Sequence, residues 1–408
     1  MAQNTILQPT TEKQRYIILD ALRGLALLGI CLANLPEFAL WTFLSEEQQM
    51  AMTTAETDRM VRYWQYFLVD AKFYSIFSFL FGIGFSIILS RAVERGGNGI
   101  RLFYRRMLVL LGIALVHLLL VWSGDILALY AVVGMLLPLL RQLTDRRLLT
   151  LAGVCILMPV LLDGWQEWMG IDFAAPLEAS WWAKAYSYGI TEENFATWLR
   201  NADGYVAVHQ FLMQGAIERM WEFVGGHRFL KVLGLFLIGY CIGRNRLYAR
   251  LEEKRENIKR VFWIGLSVGI PTSALYAMSA TGGHSWGLTV HSLLYAVSAL
   301  PMAMVYMTGF SLLILRYPHL PLFRLLAMPG RMALTNYISQ SLVGVFLYYG
   351  VGLGLGLSMG LWQVELTAVG IFMGQIVCSY VWMRWFRYGP LEWLWRMLTY
   401  GRWLSIRK

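Results

Sequence analysis

The chain has 408 residues, of which 57% are hydrophobic and only 15% are charged. Soluble domains carry about 25% charged residues, so this composition argues against a set of soluble domains. The net charge of +10 does not indicate nucleic-acid binding, because the basic residues occur in short clusters between apolar runs. The lipid bilayer is therefore the expected environment.

Apolar runs of about 17–25 residues, long enough to cross a bilayer as helices, recur along most of the chain. The sequence predicts an all-α, polytopic membrane protein with a short N-terminal segment (1–16), a single transmembrane domain (17–385) and an amphipathic tail (386–408). About ten transmembrane helices are expected, near residues 17–35, 66–90, 104–122, 125–142, 147–163, 229–247, 260–281, 287–315, 324–350 and 360–385.

Basic residues mark the loops after the second, fourth and sixth predicted helices. Because lysine and arginine in short loops resist translocation, these loops are predicted to be cytoplasmic. The loop after the second helix alone carries Arg91, Arg95, Arg101, Arg105 and Arg106. With an even number of helices, both termini are then predicted to lie on the cytoplasmic side of the membrane.

Residues 164–228 are too long and too mixed in polarity to be a simple connection. They place tryptophan and tyrosine among charges, which is typical of helices at a membrane interface, here on the outer side. A substrate-binding lid is the alternative. The stretch 205–222 could partly cross the membrane, although its Glu218, Arg219 and Glu222 argue against a full span.

Ionisable residues within the predicted spans are the first candidates for a functional site, because each costs about 2.5–3.5 kcal/mol at the bilayer centre. In the first helix, Asp20 and Arg23 are three residues apart and share a face. They either neutralise each other or leave Arg23 able to hold an anionic group. In the second helix, Asp70 and Lys72 point to different sides and are expected to find partners on other helices, such as Glu37 or Asp125 for Lys72.

His117 is predicted in the outer half of the third helix, and Asp125 begins the fourth just after Gly124. An aspartate there can cap the helix or accept a hydrogen bond from the imidazole. A carboxylate that orients a histidine is the usual arrangement for general-base catalysis. The alternative is that His117 is simply a satisfied core residue.

The ninth predicted helix carries Arg331 at its cytoplasmic end and, deeper inside, Asn336 and Gln340 on one face. The two amides could bind a polar ligand or hold neighbouring helices together. The four cysteines fall in apolar segments and show no disulfide or metal-ligand spacing, so no metal is predicted.

Five stretches, "LDALRGLALLGICLAN", "KFYSIFSFLFGIGFS", "VHLLLVWSGDILALYAVVG", "GRMALTNYISQ" and "FRYGPLEWLWR", resemble the YeiB-like family of bacterial membrane proteins, a domain of unknown function. The resemblance covers almost the whole chain. That family in turn resembles the transmembrane acyltransferases, which include bacterial O-acetylases of surface polysaccharide and the lysosomal heparan glucosaminide N-acetyltransferase.

The mark shared with those enzymes is the "LRGLA" pattern, here Leu22 to Ala26. In the O-acetylases the catalytic histidine follows this pattern within the first helix. Here Asn34 stands near that place and the first predicted helix contains no histidine. The resemblance therefore does not carry the catalytic role to this helix, and His117 with Asp125 becomes the candidate catalytic pair.

The resemblance implies transfer of an acyl group, most readily acetyl, from cytoplasmic acyl-CoA to a hydroxyl or amine on the outer side. Acyl-CoA is then the co-substrate, and the acceptor is a glycan, a lipid or a small molecule; a homodimer is left open. Cofactor and substrate binding is assigned to Asp20, Arg23, Asn34, Asp70, Lys72, Arg331, Asn336 and Gln340. The alternatives are a transporter or flippase in which the same charges form a relay, and a non-catalytic membrane partner whose polar residues only specify packing.

Overall fold

In the computed structural model, residues 16–94 and 97–408 are described, and these ranges contain helices, turns and no β-strand. The predicted N-terminal segment, apart from Tyr16, and Arg95 lie outside the described residues. The α-helices are, in chain order, α1 (Ile17–Phe38), α2 (Glu46–Met50), α3 (Ala55–Leu68), α4 (Lys72–Glu94), α5 (Gly99–Leu120), α6 (Leu127–Gly134), α7 (Leu137–Leu140), α8 (Asp145–Met169), α9 (Ala175–Ser187), α10 (Phe195–Trp198), α11 (Tyr205–Gly225), α12 (Arg228–Arg244), α13 (Arg255–Thr281), α14 (Leu288–Arg316), α15 (Pro321–Arg331), α16 (Ala333–Tyr348), α17 (Leu361–Trp385) and α18 (Pro390–Tyr400).

Within the described ranges, seven helical stretches are long and apolar enough to cross a membrane, and α11 with α12 forms an eighth span if the bent pair counts as one. The chain is therefore an integral membrane protein, as the composition predicts. Helix α1 is the most enclosed of these spans, whereas α5, α8, α13 and α17 bury the smallest share of their residues. Their exposed apolar faces are suited to contact with lipid, whereas α1 lies inside the bundle.

Two of the ten predicted spans are broken well inside their bounds, and the span predicted at 66–90 begins as α4 at Lys72, after α3 ends at Leu68. The span predicted at 125–142 is divided into α6 and α7, with Pro138 in the first turn of α7, where its missing N–H costs no helical hydrogen bond. The span predicted at 324–350 is divided into α15 and α16 at Met332, just after Pro329. A proline lies close to each interruption. Hydropathy does not reveal either break.

The region predicted to lie at the outer interface, 164–228, is largely helical. Helix α8 continues to Met169, where Gly170 adopts a left-handed backbone (φ +65°) and ends it. Helices α9 to α11 follow, and α11 meets α12 at an angle of 66°. The sequence places 205–222 within this outer segment, whereas in the structure α11 packs against α5 and α9 and reaches the interior.

Close backbone packing fixes α15 against α1. A Cβ atom on Gly330 would lie 1.8 Å from the carbonyl oxygen of Asp20, and one on Gly24 would lie 1.9 Å from the carbonyl oxygen of Leu326. Only glycine permits this approach, which is the small-residue packing typical of membrane helices. The contact brings Arg331, at the end of α15, close to the first turns of α1.

Candidate functional site

A cavity of about 770 Å³ extends along α1 through the interior of the bundle. Its walls include Asp20 near one end of α1 and Glu37 near the other, and this separation corresponds to about 26 Å at the helical rise of 1.5 Å per residue. Six of the ten residues predicted from the sequence line it, namely Asp20, Arg23, Asn34, Asp70, Asp125 and Arg331. The cavity therefore brings together charges from several separate helices.

One end of the cavity, which we call the basic end, is lined by five arginines: Arg23, Arg91, Arg106, Arg331 and Arg396. Two carboxylates, Asp20 and Glu392, accompany them. Arg23 donates to Asp20 at 2.7 Å, the predicted ion pair, and still lines the cavity. An arginine-rich recess of this kind suits phosphate groups, which guanidinium groups bind in pairs of hydrogen bonds.

The C-terminal helix α18 forms part of the basic end. The Arg106 guanidinium lies 3.6 Å from the centre of the Trp395 ring, and Trp395 Nε1 donates to the Arg106 carbonyl at 2.9 Å. The predicted amphipathic helix thus exists, but it also contributes to the cavity wall through Glu392, Trp395, Arg396 and Tyr400.

Glu392 of α18 caps α16 at the break that follows α15. Its Oε1 accepts from the backbone N–H groups of Leu334 at 2.7 Å and Thr335 at 3.0 Å, and Oε2 accepts from the Thr335 hydroxyl at 2.6 Å. Burial raises the pKa of the Glu392 carboxyl above its ordinary value, although these hydrogen bonds oppose the shift. The cap explains how α16 can begin inside the protein with its first amides satisfied.

Aromatic side chains line the middle of the cavity. Phe81 stacks on Phe236 with ring centroids 4.3 Å apart, Tyr130 packs against both rings, and Phe85 packs against Phe103 and Tyr240. Phe81, Phe85 and Tyr130 also line the cavity. The passage is thus apolar at its centre and charged at both ends.

The opposite end, which we call the acidic end, is built around Arg219 of α11. Its Nη2 donates to Glu37 at 3.2 Å, Nη1 donates to Glu222, and Nε donates to the Ser123 carbonyl at 3.0 Å. Glu218, Asp70, Asp125, Arg62 and Arg228 complete the charged lining. Arg219 thus joins α1 and α11 to the turn that precedes α6.

His117 and Asp125 are in contact, as the sequence suggests. His117 Nδ1 lies 2.8 Å from Asp125 Oδ2, while Nε2 lies 2.9 Å from the Ser341 hydroxyl. Asp125 Oδ1 accepts from the Ala128 N–H at 2.7 Å, in the first turn of α6. The three side chains have the connectivity of a Ser-His-Asp triad, but only Asp125 lines the cavity. The buried His117 ring lies behind it.

Lys72, predicted to line the polar path, lies outside the cavity lining. It is completely buried, donates to the Tyr66 carbonyl at 2.7 Å, and lies 4.8 Å from the centre of the Tyr276 ring. Tyr276 also donates to Asp70. Asp70 and Lys72 thus find partners on other helices, although neither Glu37 nor Asp125 pairs with Lys72 in the described ranges.

Asn336 and Gln340 also lie outside the cavity lining and hold α16 to α17. Asn336 Nδ2 donates to Ser379 at 3.0 Å, and Gln340 Nε2 donates to Gln375 at 2.9 Å. Gln375 in turn donates to the Asn336 carbonyl at 2.8 Å. The donors are occupied by protein acceptors, so these amides serve helix packing.

Several residues that complete the site are not predicted from the sequence. The distribution of basic residues in the sequence assigns Arg91 and Arg106 to a loop, yet both line the basic end of the cavity together with Arg396. The charges of α11 argue against a full span, but the same charges are the signal for an internal charged cluster. Ser341 gives no signal, because a single serine in a helix is ordinary. Among residues 16–94 and 97–408, no group of three or more His, Cys, Asp or Glu side chains is arranged to hold a metal ion.

Comparison with known proteins places the chain among bacterial proteins without an assigned activity. The family described as "Protein of unknown function (DUF418)" matches residues 242–402. The chain is 29% identical to the uncharacterized protein YxaH of Bacillus subtilis (strain 168), and the match covers 98% of each chain. It is 30% identical to an uncharacterized 39.9 kDa protein, located in the amylase 3' region, of Bacillus acidopullulyticus, covering 97% of each.

The uncharacterized protein YeiB of Escherichia coli (strain K12) is 29% identical, with 95% of this chain and 96% of that protein covered. No solved structure matches the chain significantly. The similarity to these relatives runs over nearly their full lengths, which is what the five dispersed sequence stretches predict. The chain therefore belongs to the DUF418, or YeiB-like, family of membrane proteins.

Proposed function

We propose that the protein is a transmembrane acyltransferase that moves an acyl group, most readily acetyl, from acyl-CoA to a hydroxyl or amine across the membrane. The observation that carries the proposal is one continuous cavity with an arginine-rich end, an apolar middle and an acidic end. Acyl-CoA has the matching chemistry, since its phosphates are anionic and its thioester lies at the end of a long flexible arm. The phosphates would bind at the basic end through Arg23, Arg106 and Arg396.

The orientation of the protein is part of the proposal. The basic end lies at the start of α1 and at the end of α4, next to the basic loops that the positive-inside rule assigns to the cytoplasm. Acyl-CoA is made in the cytoplasm, so this orientation gives the donor direct access to the arginines. We therefore propose a bacterial inner-membrane location with both termini in the cytoplasm.

In the proposed reaction, the acceptor oxygen or nitrogen forms a bond to the acyl carbon while the carbon–sulfur bond breaks. The acceptor proton goes to His117 and then to the leaving thiolate. Asp125 holds Nδ1 of the ring, which orients the imidazole and stabilises its charged form. In this structure the Ser341 hydroxyl contacts Nε2, and the ring does not line the cavity. The role as a base therefore requires Ser341 to turn away from Nε2 so that the acceptor can reach it.

One observation favours a transporter as the second candidate function. Helices α11 and α12 form a span bent by 66°, and Phe223 and Arg228, on either side of the bend, line the cavity. Interrupted helices at a binding site are typical of secondary transporters. A solute would then move along the same passage without covalent chemistry.

Reconstitution into sealed liposomes separates the two functions. With acetyl-CoA labelled in its acetyl group, an acyltransferase is expected to release free CoA in step with labelled product, and His117→Ala is expected to slow this release by about 10²–10⁴. A transporter would instead exchange a labelled solute for the same unlabelled solute without forming free CoA. Absence of CoA release and of acetyl-CoA binding would overturn the acyltransferase proposal.

A further inference from the structure

The two ends of the cavity carry opposite formal charges. Five arginines and two carboxylates line the basic end, which gives a net charge of +3. At the acidic end, five carboxylates and three arginines line the cavity, a charge of −2 that the buried Lys72 behind Asp70 reduces to −1; the carboxylates are Glu37, Asp70, Asp125, Glu218 and Glu222, and the arginines are Arg62, Arg219 and Arg228. Charge of one sign that is not compensated inside a membrane protein is costly unless a ligand of the opposite sign binds.

The uncompensated charge is concentrated at Glu218. The neighbouring Arg219 is occupied by Glu37, Glu222 and the Ser123 carbonyl. Asp125 is held by His117, and Asp70 by Tyr276. Glu218 lines the cavity and, within residues 16–94 and 97–408, forms no hydrogen bond or ion pair with another side chain.

We propose that the acidic end binds a positively charged amine, with Glu218 as its direct counter-ion. The inference rests on the proposed function in taking the bound amine to be the acyl acceptor, and it narrows the acceptor class from hydroxyls and amines to amines. An ammonium group brings the charge that the cluster lacks and can donate hydrogen bonds to the free carboxylate. A neutral hydroxyl compound of the same size supplies a hydrogen bond but no charge.

Thermal unfolding of the purified full-length protein tests the proposal with pairs of probes matched in size. Ethanolamine is compared with ethylene glycol, and glucosamine with glucose, at constant ionic strength and without acyl-CoA. At least one amine is expected to raise the unfolding temperature in a saturable way, while its hydroxyl partner has no such effect. In Glu218→Gln, the apparent Kd for the amine is expected to rise about tenfold or more, the change expected for loss of one charged hydrogen bond.

The control variant is Glu56→Gln, which removes an exposed carboxylate that does not line the cavity. It is expected to bind the amine as the wild type does. The proposal is overturned if neither amine has a larger effect than its hydroxyl partner, or if Glu218→Gln binds the amine with unchanged affinity. If Glu218→Gln does not fold, the comparison between amine and hydroxyl on the wild type decides.

The test is independent of acyl-CoA. A protein that binds the amine but not acetyl-CoA would contradict the acyltransferase and leave the amine site intact. A protein that transfers acetyl groups only to hydroxyl compounds would contradict the amine site and leave the acyltransferase proposal intact.

Discussion

His117 Nδ1 lies 2.8 Å from Asp125 Oδ2, and this contact joins the end of α5 to the short turn that precedes α6. Asp125 is fixed in turn by the Ala128 N–H, and His117 Nε2 by the Ser341 hydroxyl. With Asp125 accepting the Nδ1 proton, Nε2 is the nitrogen that can accept one. The pair therefore has the orientation that a general base needs, beside the wall of the cavity.

His117→Ala is expected to lower the rate of acyl transfer by about 10²–10⁴, the usual contribution of a general base. Binding of acetyl-CoA is expected to stay within about twofold of the wild type, because His117 does not line the cavity. The rate is measured as CoA release, and binding is measured separately. A His117→Ala protein that folds and keeps the wild-type rate would exclude this base.

Ser341→Ala distinguishes a general base from a nucleophilic serine. Because general-base catalysis by His117 requires Ser341 only to move away from Nε2, loss of the hydroxyl is expected to change the rate of acyl transfer by less than about tenfold. CoA release by the variant checks this. A loss as large as that of His117→Ala, together with an acyl group found on Ser341 in the wild type, would instead assign the triad to covalent catalysis.

Gly330→Ala is expected to destabilise the protein by about 3 kcal/mol or more, because the new Cβ would lie 1.8 Å from the Asp20 carbonyl oxygen and two backbones would have to separate. The control is Gly370→Ala in α17, where no heavy atom lies within 4 Å of the new Cβ. The control is expected to change stability by less than about 1 kcal/mol. Equal unfolding temperatures for the two variants would contradict the packing of α15 on α1.

Arg219→Gln leaves Glu37 and Glu222 without their shared cation and is expected to destabilise the protein by about 3–5 kcal/mol. Adding Glu37→Gln is expected to recover part of that loss, since one of the uncompensated charges is removed. Arg200→Gln, which changes an exposed arginine, serves as the control. If the changes in the free energy of unfolding caused by the two single substitutions add up to the change in the double variant, Arg219 and Glu37 do not interact.

The pH dependence of stability is expected to include a contribution from Glu392. Because burial raises the pKa of its carboxyl in the folded protein, the stabilising contribution is full below the ordinary glutamate pKa of about 4.3. It is lost as the pH rises through the raised value. Unfolding temperatures across this range are expected to fall less steeply for Glu392→Gln than for the wild type. Identical slopes would contradict a raised pKa.

The sequence predicts the membrane class and most long helices because these depend on local hydrophobicity, which can be assessed directly from the sequence. It does not predict that the Met332 break is capped by Glu392, since this contact joins residues 57 and 58 positions apart. The sequence also does not predict that α18 lines the cavity, because its amphipathic pattern is equally typical of a helix on a membrane surface and of one that closes a cavity.

The candidate site is predictable in part. The cost of buried charge selects Asp20, Arg23, Asp70 and Arg331, all of which line the cavity. The same criterion also selects Lys72, which is instead satisfied by Tyr66 and Tyr276. Hydropathy reports that a polar group is buried, but whether it faces a cavity or another side chain depends on tertiary contacts.

Equilibrium binding of radiolabelled acetyl-CoA to the purified protein tests the central claim most directly. We expect saturable binding with one site per chain, weakened about tenfold or more in Arg23→Gln and in Arg396→Gln, which line the basic end. Arg146→Gln, an exposed arginine outside the cavity, is expected to bind as the wild type does. No saturable binding by the wild type, or equal binding by all four proteins, would contradict a donor site at the basic end.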